Sequence, residues 1–140
     1  MSVEFCDTNV IIYAYDQSAG VKHRQARELL DRIWASRAGS LSLQVLQESY
    51  VTLTRKLSPA YTASEARAIV ADLTTWPSVI EPTRLDVIGA IDRSASWRIS
   101  FWDALILIAA KRARASVVWS EDLNDGQSYD DVLVRNPFGR

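Results

Sequence analysis

The chain has 140 residues, 48% of them apolar and 24% charged, with a net charge of −1. That length buries roughly two-thirds of the unfolded surface in a single domain over 1–140, and the near-neutral balance excludes a strongly basic nucleic-acid binder. The single cysteine, Cys6, excludes an internal disulfide and fits a reducing cytosol.

Residues 3–6 read as a short apolar strand, followed by Asp7, Thr8 and Asn9 and then the apolar segment 10–13. Helical periodicity is clearest at Ala26, Leu29, Leu30, Ile33 and Trp34, a stripe ended by Gly39. A strand at 40–43 leads into a helix over 44–57, stopped before Pro59. Thr62 and Glu65 form a capping box ahead of the stripe Ala66, Ile69, Val70 and Leu73. A strand at 78–80 precedes Pro82 and a second box, Thr83 to Asp86. A further helix opens at Ser100 to Asp103, a third box by its spacing, and is apolar almost all round through Ala110. Strands at 116–119 and 132–134 complete the chain.

Short strands alternating with helices indicate an α/β domain with a mainly parallel sheet and right-handed crossovers. The longest apolar run, 104–110, is too short to span a bilayer. The amino end lacks the basic-then-apolar signature of a signal peptide. A soluble cytoplasmic protein with no membrane partner is expected.

Four acids stand out: Asp7 after the first strand, Glu48 and Asp103 in the opening turns of two helices, and Asp122 after the strand at 116–119. In an open parallel sheet, ligands bind beyond the carboxyl ends of the strands, and these residues can converge there. Carboxylates about 5 Å apart repel by roughly 3 kcal/mol at an effective dielectric near 20, so such a cluster calls for a cation. Each residue alone has a plainer reading. Asp7, Thr8 and Asn9 are good N-capping residues, Asp103 sits where a capping box closes, and 120–126 could be only a polar turn. Within that turn, Asn124-Asp125-Gly126 could place Asp125 near a metal, and the tight turn is the favoured reading.

The other chemistries are poorly served. His23, the only histidine, lies on the polar side of the first long helix, so no Ser-His-Asp or Cys-His arrangement can be assembled. No Gly-rich phosphate loop or zinc-spaced Cys/His set appears. What remains is hard oxygen ligands, suited to Mg²⁺ or Mn²⁺. Of the 16 basic residues 13 are Arg, a bias that serves phosphate contacts or reflects base composition alike. Arg55-Lys56 and Lys111-Arg112-Arg114 sit at helix C-termini, where they offset the dipole or touch an RNA backbone. Trp34, Trp76, Trp97 and Trp102 fall on or beside helices; core packing is the default, and an exposed subset would make a docking anchor.

Taken together, residues 5–11, 42–48, 100–106 and 119–123 resemble the PIN-domain ribonucleases, most closely the toxins of VapBC-type toxin–antitoxin pairs. The resemblance covers the whole chain and implies a PIN-like three-layer α/β/α sandwich with a short, mainly parallel central sheet. It implies an acidic pocket that binds Mg²⁺ or Mn²⁺ and an endoribonuclease leaving a 5′-phosphate and a 3′-hydroxyl. Asp7, Glu48, Asp103 and Asp122 match the family's catalytic acids, and Thr8, Asn9 and Ser120 its supporting polar residues. Asp7, Asp103 and Asp122 are assigned to the metal, with Asp122 holding a second ion or a ligand water. Glu48 is assigned to orient or deprotonate the attacking water. The resemblance also implies a cognate antitoxin, an RNA substrate and a homodimer. Two rival readings stay open: a catalytically silent PIN-like binding module, and an Asp-nucleophile phosphatase, which Asn9 disfavours because a second acid is wanted there.

Overall fold

The computed structural model describes residues 2–138. The first apolar segment forms β1 (Val3–Cys6), and Asp7 caps α1 (Thr8–Tyr15), its carboxylate accepting the Thr8 N–H at 2.7 Å. After one 3-10 turn, α2 (Val21–Ser36) buries Ala26, Leu30 and Ile33, while Trp34 lies at the edge of the stripe, exposed beneath the Arg37 guanidinium. Gly39 is not the helix stop expected of it. Arg37, in the left-handed conformation at φ 60°, ends α2. Gly39 instead opens β2 (Gly39–Ser42), where a Cβ would lie 2.7 Å from both Ile33 and Trp76.

The chain passes directly from β2 into α3 (Leu43–Arg55), one residue earlier than the sequence suggests, with Ser42 as cap. The boxes at Thr62 and Thr83 both close, starting α4 (Ala63–Leu73) and α5 (Arg84–Trp97) on either side of β3 (Ser78–Ile80). Ser100 caps α6 (Phe101–Arg112), which buries six of its residues, as its nearly all-round apolar character requires. β4 (Ala115–Trp119) and β6 (Val132–Arg135) follow; between them lies β5 (Ser128–Tyr129), too short to carry a sequence signal.

The sheet order is β3-β2-β1-β4-β6-β5, parallel throughout except for β5 against β6. From β1 the chain steps outward to β2 and β3, then returns past β1 to β4. Right-handed crossovers in those two directions place α1–α4 on one face of the sheet and α5–α6 on the other. The result is the expected three-layer α/β/α sandwich. Phe5, Leu41 and Val118 from the strands pack with Ile11, Val45 and Leu107 from both helical layers. Each such side chain contributes about 1.5–3 kcal/mol when fully buried. No helix among the described residues is long and apolar enough to cross a membrane.

Candidate active site

The reversal of direction between β1 and β4 opens a crevice at their carboxyl ends. Cys6 pairs with Trp119 in register, so the next residues, Asp7 and Ser120, emerge side by side. α3 follows β2 and therefore begins at this same edge. α6 runs antiparallel to β4, the strand it precedes, and so begins there too. Asp103, in the first turn of α6, and Glu48, in the second turn of α3, are carried to the edge that holds Asp7 and Asp122.

A hydrogen-bond network joins three of the four acids. Ser120 Oγ donates to Asp7 Oδ2 at 2.8 Å, and the Asp122 N–H donates to Ser120 Oγ at 3.2 Å. Asn9 Nδ2 reaches Asp122 Oδ2 at 3.1 Å and Asp7 Oδ2 at 3.4 Å, while Asn9 Oδ1 accepts the Glu121 N–H at 3.0 Å. Thr8 Oγ1 donates to Glu48 Oε1 at 2.6 Å, and Gln44 Nε2, one turn earlier on α3, donates to Glu48 Oε2 at 3.2 Å. Thr8, Asn9 and Ser120 each hydrogen-bond at least one of these acids.

Asp103 is a different case. At Thr62 and Thr83 the acid three residues on folds back to accept the cap N–H, at 2.9 Å in each. At Ser100 only half of the box closes: Ser100 Oγ accepts the Asp103 N–H at 3.0 Å, and no return bond is made. The Asp103 carboxylate is left free to face its acidic neighbours.

The electrostatics follow. Burial, at 5% exposure, pushes the Asp7 carboxyl up to about 7. The Ser120 hydroxyl and the Thr8 N–H work against that rise, and Glu48 and Asp103 add to it. Asp103 is raised by burial and by Asp122 and Glu48, against the Ser100 hydroxyl. The acids therefore feel one another. Among the described residues, however, no three Asp, Glu, His or Cys side chains close on a single point as a ready ligand set. A donor set made only of carboxylate oxygens, with two carboxyls raised chiefly by burial and further by neighbouring acids, fits a hard divalent cation and no softer metal.

The family model for the PIN domain matches residues 5–125. The chain belongs to the PIN domain family. No curated protein matches it by sequence. Among solved structures, it is similar to a toxin–antitoxin complex from Klebsiella pneumoniae, at 20% identity over 98% of both chains and a TM-score of 0.70. A DNA-bound VapBC from Salmonella typhimurium gives 15% identity over 98% of this chain and 99% of that one, with a TM-score of 0.68. VapC20 of Mycobacterium tuberculosis, a sarcin–ricin loop cleaving toxin, gives 22% over 85% and 89%, with 0.64. At these identities the likeness is one of fold, and it extends the PIN architecture over nearly the whole chain.

Some residues of this PIN domain fall elsewhere. Asp125 Oδ1 accepts the Asn136 N–H at 2.9 Å and closes the turn ahead of β5, so it serves the backbone. Arg112 bonds Asp86 Oδ2 at 2.7 Å and the Glu81 carbonyl at 2.8 Å, and Lys111 reaches the Asp130 carbonyl at 3.3 Å; both tie α6 down rather than face the acids. His23 Nδ1 lies 2.9 Å from the Tyr13 carbonyl, a structural contact. Sequence reasoning missed Glu121, which is paired with Lys22 and accepts the Tyr13 hydroxyl at 2.8 Å. That pairing neutralises the carboxylate beside Asp122 and fixes the loop carrying it. A cavity of about 760 Å³ opens beside the acids, lined by Thr8, Asn9, Gln44, Glu48, Trp102 and Asp122 among others.

Proposed function

We propose that this PIN domain is a Mg²⁺- or Mn²⁺-dependent endoribonuclease and the toxin of a toxin–antitoxin pair. The observation that carries the reading is the delivery of Asp7, Glu48, Asp103 and Asp122 by four different elements to one edge of the sheet, with the Asp103 carboxylate making no return bond to its cap. Asp7, Asp103 and Asp122 would hold the cation, which when bound lowers the pKa of water and polarises a phosphoryl oxygen. Ser120 and the Thr8 N–H favour the ionised form of Asp7 against its burial and fix its orientation. Thr8 and Gln44 grip both oxygens of Glu48 and aim it as the group that orients or deprotonates the attacking water. Asn9 locks Asp122 and Glu121 to the start of α1. Cleavage would leave a 5′-phosphate and a 3′-hydroxyl.

The similar folds from toxin–antitoxin complexes support a cognate antitoxin as partner. A second copy of the chain would cover the exposed apolar residues Leu85, Ile88 and Ile91, which share one face of α5. The experiment that tests the reading incubates purified protein with total RNA. Cutting with Mg²⁺ or Mn²⁺, lost in chelator and in Asp7→Asn, is expected. Full activity in excess chelator would end it. Growth arrest on induction, cured by the same substitution, tests the toxin role.

A further inference from the structure

We infer that the cavity beside the acids seats one unpaired nucleobase next to the scissile phosphate, stacked on Trp102. The inference rests on the ribonuclease reading above and names the determinant of its substrate.

Trp102 is 59% exposed, although it directly precedes Asp103 and is followed in α6 by four buried residues from Ala104 to Leu107. Its ring is braced edge-on by Phe101, with centroids 4.9 Å apart. A braced, exposed indole one residue from a catalytic acid is a stacking platform, and every base has a face to offer it. Ile12 and Val51 supply apolar wall on other sides of the cavity, whose volume of about 760 Å³ admits a nucleotide. A base inside a duplex has both faces covered and its edge paired, so only an unpaired one fits.

Gln44 braces the platform. Its side-chain nitrogen donates to Glu48 Oε2 at 3.2 Å and to the Trp102 carbonyl at 3.3 Å, tying the start of α6 to α3 beside the acids. Lys56, on the wall formed by the end of α3, provides a positive charge for the neighbouring phosphate.

The test measures binding of three fluorescein-labelled hexamers by anisotropy: oligocytidylate, oligouridylate and an abasic ribose-phosphate strand. The full-length Asp7→Asn protein is used so that no strand is consumed. Oligocytidylate and oligouridylate should both bind about tenfold or more tighter than the abasic strand, the size of one base–aromatic stack. Adding Trp102→Ala should collapse the difference between base-bearing and abasic strands while leaving abasic affinity unchanged, and Trp102→Phe should restore most of it. Identical ratios with and without Trp102 would overturn the base seat. In the otherwise unsubstituted protein, failure to cut any RNA with Mn²⁺ would defeat the nuclease reading separately, with the anisotropy ratios still deciding this one.

Discussion

Ser120 donates its hydroxyl to Asp7 Oδ2 at 2.8 Å although 113 residues separate the two. Both are almost wholly buried, and the bond lies where β1 and β4 end side by side. It works against a carboxyl that burial drives toward neutrality. Ser120→Ala removes that opposing donor and also the acceptor for the Asp122 N–H. The Asp7 carboxyl should then rise further, so the acid limb of the cleavage pH profile moves to higher pH. Activity at pH 7 should fall about tenfold, in the range seen when groups that orient metal ligands are lost. An unmoved acid limb would show that the hydroxyl has no influence on Asp7.

Asp7 also sets a trade between stability and function. Its folded value of about 7 lies far above the ordinary aspartate near 3.9. The folded state therefore binds the proton more tightly than the unfolded chain does. This group favours folding most below about pH 4, and the advantage is lost as pH rises through about 7. Without metal, the protein should be less stable at pH 8 than at pH 5 on this account. Asp7→Asn removes the buried charge while keeping an acceptor for the Thr8 N–H. In chelator at pH 8 it should stabilise the protein by about 2 kcal/mol, read from urea melts, and the gain should shrink as pH falls toward 4.

Much of this architecture is legible in the amino-acid sequence because its signals are local. The two closed boxes at Thr62 and Thr83 announce their helices, and the apolar run from Ala104 to Ala110 announces a helix shared by two layers. Gly39 misleads because glycine marks both helix ends and close packing, and only the positions of Ile33 and Trp76 tell which. β5 has two residues, too few for alternation to show. Within the site, the acids could be grouped by their placement at element boundaries. That Asp103 makes no return bond to its cap, or that Lys22 neutralises Glu121 from 99 residues away, depends on tertiary neighbours with no trace in local pattern. Trp102 shares its apolar character with the buried residues that follow it, so its exposure emerges only once the layers are in place.

Glu4 gives the fold a pH dependence of the opposite sense. Arg32 grips it with two bonds of 2.9 and 2.8 Å, and Trp119 Nε1 donates to it at 2.8 Å, tying α2 to β1 and β4. The Arg32 guanidinium, chiefly, holds the carboxyl below the usual glutamate value; burial opposes this and the indole assists it. Stability from this group is present above about pH 4.3 and is lost as pH falls through the lower folded value. Arg32 is half-exposed, so solvent screening reduces the worth of the pair. Glu4→Gln should cost about 1 kcal/mol at pH 7 and much less at pH 3, measured by denaturant melts at the two values.

Asp125 separates a structural acid from those proposed as catalytic. It lies three residues beyond Asp122, and in an unfolded string of acids the two look alike. Its carboxylate accepts the Asn136 N–H at 2.9 Å and stands 4.0 Å from Arg135 Nε, binding the turn to the end of β6. The side chain is half-exposed, so water replaces much of what is lost when it is removed. Asp125→Ala should therefore destabilise the protein by about 0.5–1 kcal/mol and leave RNA cleavage within twofold of the unsubstituted protein. Asp122→Ala should do the reverse, abolishing cleavage with little change in stability in chelator. A large loss of activity in Asp125→Ala, at a temperature where it is fully folded, would bring a fifth acid into the site.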